Sequence, residues 1–99
     1  DMKNLYFKSL KQFTEASQSD DCEIAASTLE SISESYDKGE NKSLLYNIFF
    51  EDQPNSFEVS LPRSEWVKSL DKCLKDFEKQ QENDLAIDCY LLRKKLLEE

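Results

Sequence analysis

Adjacent carboxylates are the first groups in this chain that could do chemistry. Glu51-Asp52 and Asp20-Asp21 each set two acids side by side, and proton-transfer sites are often built on such a pair. Loop solvation accounts for the first pair and helix capping for the second, so neither is read as catalytic. Other chemistries lack their reagents. The chain has no histidine, which removes the commonest general base, the Ser-His and Cys-His pairs and most zinc sites. Cys22, Cys73 and Cys89 lie too far apart in sequence to form a C-x-x-C ligand pair. A lone glycine, Gly39, excludes the glycine-rich phosphate cradles, whose backbone must approach the ligand unobstructed. An EF-hand over Asp37 to Ile48 fails as well. Lys42 stands where that loop turns on glycine, and Ile48 where glutamate should grip calcium. The sequence therefore points away from an enzyme and implies no cofactor and no metal.

The thiols and hydroxyls have quieter explanations. Three cysteines cannot all pair within one chain, and each falls in an apolar register. Cys73 lies between Leu70 and Phe77, Cys89 between Leu85 and Leu92, and Cys22 ahead of Ala25 and Leu29. Reduced thiols packed as small hydrophobes fit this pattern and imply an intracellular, reducing compartment, cytoplasm or nucleus. The Asn41-Lys42-Ser43 sequon is then read as chance. Ser27, Thr28, Ser31, Ser33 and Ser35 crowd one segment, with Glu30 and Glu34 three residues after Ser27 and Ser31. That spacing resembles sites for acid-directed kinases, although a polar helix face explains the same residues.

Charge narrows the partners. Thirteen basic residues against 21 acidic ones give a formal net charge of −8, which repels a phosphate backbone, so no nucleic acid is expected. Solubility accounts for the excess, or else an acidic face made to meet a basic protein. No apolar run approaches the roughly 18 residues that span a bilayer. The N-terminal DMKNLYFKSLKQF carries charges every few residues, unlike the core of a signal peptide. No membrane partner is expected. Ninety-nine residues, 38% of them hydrophobic, suffice for one modest core and hence a single domain over 1–99. The helical pattern running into Leu97-Glu98-Glu99 suggests a domain cut from a longer protein, with a processed or tagged full-length chain equally compatible.

Periodicity then supplies the elements. Leu5 (or Tyr6), Leu10 and Phe13 predict a helix from about Met2 to Ala16. Asp20 or Asp21 caps a second helix, which carries Cys22, Ala25, Ala26, Leu29, Ile32 and Tyr36 on one side. Gly39 ends it as the left-handed residue. The middle is ambiguous: Leu44, Leu45, Ile48 and Phe49 fit a helix, while Leu44, Tyr46, Ile48 and Phe50 alternate, as do Phe57, Val59 and Leu61 beyond Pro54. The helical flanks favour a short helix through Phe50 followed by an extended loop, with a β-hairpin at about 44–61 as the alternative. Pro62 opens a further helix bearing Trp66, Val67, Leu70, Cys73, Leu74 and Phe77. After Gln81-Glu82-Asn83, Asn83 or Asp84 caps a last helix with Leu85, Ala86, Cys89, Leu92 and Leu96 on one stripe. The expected fold is mainly α, a four- or five-helix bundle of αα-hairpins; the alternative is α+β.

One internal echo bears on function. Lys8, Leu10, Lys11 and Phe13 match Lys72, Leu74, Lys75 and Phe77, and Asp20 matches Asp84. Leu70, Cys73, Leu74 and Phe77, followed by Ala86 and Tyr90, have the spacing of a hairpin that resembles the tetratricopeptide repeat. Tyr6, Ser9, Leu10 and Phe13, followed by Cys22 and Ala26, follow it less closely. The copies lie 64 residues apart rather than a multiple of 34, and the repeat's glycine is missing. The resemblance implies a peptide-binding or scaffold role and nominates no binding residues.

Two places are candidates for a partner surface. Tyr46, Phe50 and Trp66 supply the aromatic anchors on which interfaces depend, although so small a domain also needs its aromatics inside. On the last helix, Ile87, Tyr90, Leu91 and Leu97 form a second apolar stripe beyond what a helix at the edge of a bundle can bury. The functional expectation is a protein–protein interaction or adaptor domain, binding another protein or a second copy through an apolar helical surface. The rival is an acidic inhibitor or nucleic-acid mimic seated in a basic groove of its target.

Overall fold

A computed structural model describes residues 3–18 and 22–99. It is an α+β fold, not a helical bundle. Strand β1 (Lys3–Phe7) leads into helices α1 (Leu10–Gln18) and α2 (Cys22–Asp37). Strands β2 (Lys42–Phe50) and β3 (Ser56–Pro62) follow, then a 3-10 turn at Arg63–Glu65 and helices α3 (Trp66–Lys79) and α4 (Asn83–Leu97). The sheet order is β1-β2-β3, with β1 parallel to β2 and β3 antiparallel to it.

The expected first helix is a strand in its first half. Lys3 to Phe7 pair with Tyr46 to Phe50, so Leu5 turns inward with Ile48 while Tyr6 stacks on Phe49 across the outer face at 5.0 Å. The helix starts only where Ser9 permits it. The Ser9 hydroxyl accepts the Gln12 amide N–H at 3.3 Å, and the Gln12 side-chain oxygen accepts the Lys8 N–H at 2.6 Å. This is close to the reciprocal Ser-x-x-Gln capping box.

The middle segment is the hairpin, and the helix expected through Phe50 does not form. A bulge explains why its periodicity deceives. Leu44 faces Ser60 and Tyr46 faces Val59, leaving Leu45 as the extra residue. Leu45 and Tyr46 are therefore both buried, a consecutive pair that breaks strand alternation and imitates a helical stripe. Beyond the bulge, Tyr46, Ile48 and Phe50 point to the core and Asn47 and Phe49 away from it.

Helix termini follow backbone rules. At the end of α2 the Gly39 N–H bonds the Tyr36 carbonyl and the Glu40 N–H the Ser35 carbonyl, with Gly39 at φ +69°. This is the Schellman motif expected there. The same pair of bonds closes α3, from Gln81 to Glu78 and from Glu82 to Phe77, but here a glutamine takes the left-handed conformation at φ 59°. Neither Asn83 nor Asp84 caps α4: the preceding residue is Glu82, and no side chain bonds the first amides. The cap expected from Asp20 or Asp21 lies outside the described residues.

Helices cover one face of the sheet. Phe13 of α1 packs edge-on against Phe7, Tyr46 and Phe50. Helix α3 packs against both α2 and α4, whereas α2 and α4 meet only briefly. The core is one cluster running from Leu5 and Ile48 through Leu29 and Ile32 to Trp66, Leu70, Phe77, Cys89 and Leu92. Among the described residues, no helix is long and apolar enough to cross a membrane.

Candidate protein-binding surface

Three of the sequence-derived candidates are core. Trp66 is fully buried, with its indole N–H donating to the Leu61 carbonyl at 3.0 Å and the Arg63 guanidinium 5.0 Å from the ring centroid. Tyr46 and Phe50 are buried on the inner face of β2 beneath Phe13. In the folded chain these three offer nothing to a partner; they join hairpin to helices.

The other four candidates come together on the surface. Ile87, Tyr90, Leu91 and Leu97 are 57%, 51%, 48% and 56% exposed along the outer side of α4. Their spacing dictates this. Cys89 and Leu92, the residues α4 buries, face α3, where the Cys89 thiol donates to the Leu70 carbonyl at 3.2 Å. Residues 87, 90, 91 and 97 fall on the opposite half of a 3.6-residue helix. The exposed stripe exists because α4 is peripheral, with α3 as its main neighbour and only a brief contact with α2.

Beside that stripe runs a groove of about 490 Å³ between α2 and α4. Its floor is apolar, built on Ala26, Leu29, Leu85 and Leu92, and Leu91 forms its lip. Glu30, Glu34, Asp37 and Asp88 line it, opposed by one amine, Lys95. Among the described residues none of these five charges has an ion-pair partner; pairs elsewhere join Arg63 to Glu99, Lys72 to Asp76 and Arg93 to Asp71. Sequence reasoning missed this groove. Glu30, Glu34 and Asp37 recur every three or four residues, but nothing local says that a second helix lies alongside.

A smaller apolar hollow of about 260 Å³ was also missed. It lies between Leu10 of α1 and Phe57 of β3, both largely exposed, over Phe13 and Phe50. Leu10 is the first residue of its helix, and Phe57 leans on the Phe50 ring at 5.7 Å while one side of it stays open to solvent.

Most hydroxyls of α2 turn inward, while Ser33 lines the groove. Ser27, Thr28 and Ser35 are buried, Thr28 donates to the Ile24 carbonyl at 2.9 Å, and Ser31 donates to the Leu45 carbonyl at 3.4 Å. The buried positions, Ser27, Thr28 and Ser35, are unsuited to phosphorylation in the folded state. Among the described residues, none of the three cysteines is in a disulfide. Burial pushes Cys73 up to about 12, with Cys89 and Asp76 adding to the rise, and burial likewise pushes Cys89 up to about 11. Such thiols are poor nucleophiles at neutral pH. Among the described residues no group of histidine, cysteine and carboxylate side chains is arranged to hold a metal ion. No family model, curated protein or solved structure matches the chain.

Proposed function

We propose that this chain is a protein–protein interaction module whose working surface is the outer side of α4. The observation that carries the reading is the exposure of Ile87, Tyr90, Leu91 and Leu97 on one helix, each about half open to solvent. Scattered apolar residues need no explanation, but four on one contiguous face are what a docking surface requires. The partner is another protein or a second copy of the chain. The reading also puts the domain in the cytoplasm or nucleus, supported by three cysteines that form no disulfide among the described residues.

Replacing Ile87→Ser together with Tyr90→Ala tests it. Proteins retained on the immobilised wild-type domain, or self-association seen by analytical ultracentrifugation, should be lost from the variant while its far-UV spectrum and melting stay the same. Equal retention by both would refute the reading. The acidic-mimic rival makes a different forecast: binding that collapses between low and moderate salt and ignores both substitutions.

A further inference from the structure

We infer that the groove between α2 and α4 is the seat for a basic amphipathic helix of a partner protein, an inference that rests on the interaction reading above and gives it a ligand chemistry. The geometry comes from the helix stack. Helix α3 packs against both α2 and α4, which touch each other only briefly and leave the groove between them, so one further helix laid there would complete a four-helix packing. Two helical stripes define the trough: Ala26, Glu30, Ser33 and Asp37 on one wall, and Leu85, Asp88, Leu92 and Lys95 on the other. The small side chains of Ala26 and Ser33 leave room for a neighbour's bulk. From residue 26 to residue 37 the wall runs about 16 Å, or three turns, at 1.5 Å per residue. That is the length of contact typical of an amphipathic helix lying in an apolar groove.

Charge selects the occupant. Four carboxylates, Glu30, Glu34, Asp37 and Asp88, stand around an apolar floor with one opposing amine and, among the described residues, no ion-pair partners of their own. A helix with apolar residues at i, i+3 or i+4 and i+7, flanked by lysine or arginine, would satisfy both the floor and the rim. An acidic helix would meet repulsion on both walls. Direction is encoded too. Asp88 and Lys95 lie two turns apart, about 10 Å, on the same wall. The docked helix should therefore carry a basic residue beside Asp88 and an acidic one beside Lys95, which rejects the reversed orientation.

The test uses a fluorescent peptide of about 14 residues with leucines at that spacing, lysine and arginine on its flanks and one glutamate placed for Lys95. Fluorescence anisotropy should show saturable binding, at least tenfold tighter than for a scrambled peptide of equal composition. Amide shifts should concentrate in 26–37 and 85–95. Glu30→Lys with Glu34→Lys should weaken binding at least tenfold, and exchanging the facing lysines of the peptide for glutamate should restore it. Equal affinity for the scrambled peptide means charge attraction alone and overturns the inference, as does no binding, or shifts at Leu10 and Phe57. If the peptide fails while Ile87→Ser with Tyr90→Ala still abolishes partner capture, the groove inference falls and the α4 surface stands. If both fail, the interaction reading falls with it.

Discussion

Helices α3 and α4 are consecutive, similar in length and both rich in apolar residues, yet they do opposite things with them. Trp66, Leu70, Cys73 and Phe77 of α3 are almost wholly buried; α4 carries more large aliphatics and buries only Cys89 and Leu92. The difference is position. Helix α3 has α2 and α4 as neighbours, while α4 has α3 along one side and solvent on the other. Apolar content says what a helix could bury, and neighbours decide what it does bury.

The sharpest way to break this comparison is to truncate one side chain on each helix. Phe77→Ala should cost about 3–5 kcal/mol, because it empties a fully enclosed site, read as a shift of the urea midpoint. A loss under about 1 kcal/mol would mean that α3 is not the centre of the core.

Alkaline pH probes the thiols that join the two helices. Cys73 and Cys89 stay protonated in the fold, so their contribution is fully present below the unfolded thiol value near 9. It is lost as pH rises toward about 12 and about 11, the folded values. Urea melts should therefore show constant stability up to about pH 8 and a loss of about 4 kcal/mol, roughly 2 per thiol, by about pH 10.5. Cys73→Ala should flatten that slope. An unchanged slope would assign the loss to tyrosine or lysine instead.

The two Schellman ends offer a matched pair of smaller effects. Gly39→Ala should cost about 1 kcal/mol, since the left-handed backbone penalises any Cβ although nothing lies within 4 Å of it. Gln81→Gly should stabilise by about 0.5–1 kcal/mol by relieving the same penalty at the end of α3. Chemical denaturation of both variants checks the signs.

The smallest effect belongs to the face of α4. Tyr90→Ala alone should change stability by no more than about 0.5 kcal/mol. A loss of 2 kcal/mol would show that Tyr90 packs in the fold and would remove it from the candidate surface.

Much of this organisation was legible beforehand, for reasons that are local. The α2 boundary at Gly39, the 3-10 turn that follows Pro62 and leads into α3, and the apolar stripe of α3 each follow from a few adjacent residues. The outer stripe of α4 could also be read, because four apolar residues opposite Cys89 and Leu92 exceed what one neighbour covers. The repeat-like echo was less informative. Its first copy straddles the end of β1, the turn at Ser9 and the start of α1, so Tyr6 lies on a strand while Leu10 and Phe13 lie on a helix.

What the sequence determined by itself is where chain direction and side-chain pattern are set within a turn or two: caps, breaks, helix faces, a free thiol in an apolar register. Only tertiary structure decided the sheet. Lys3–Phe7 is a strand because it lies parallel to Tyr46–Phe50, some forty residues away, and five residues alone cannot hold an extended conformation in water. Lys42–Phe50 is a strand because β1 and β3 satisfy its backbone on both edges, which outweighs a bulged pattern that reads equally well as helix. The groove between α2 and α4 is likewise a product of assembly. Its acidic residues are ordinary surface positions on two separate helices until α3 brings those helices side by side.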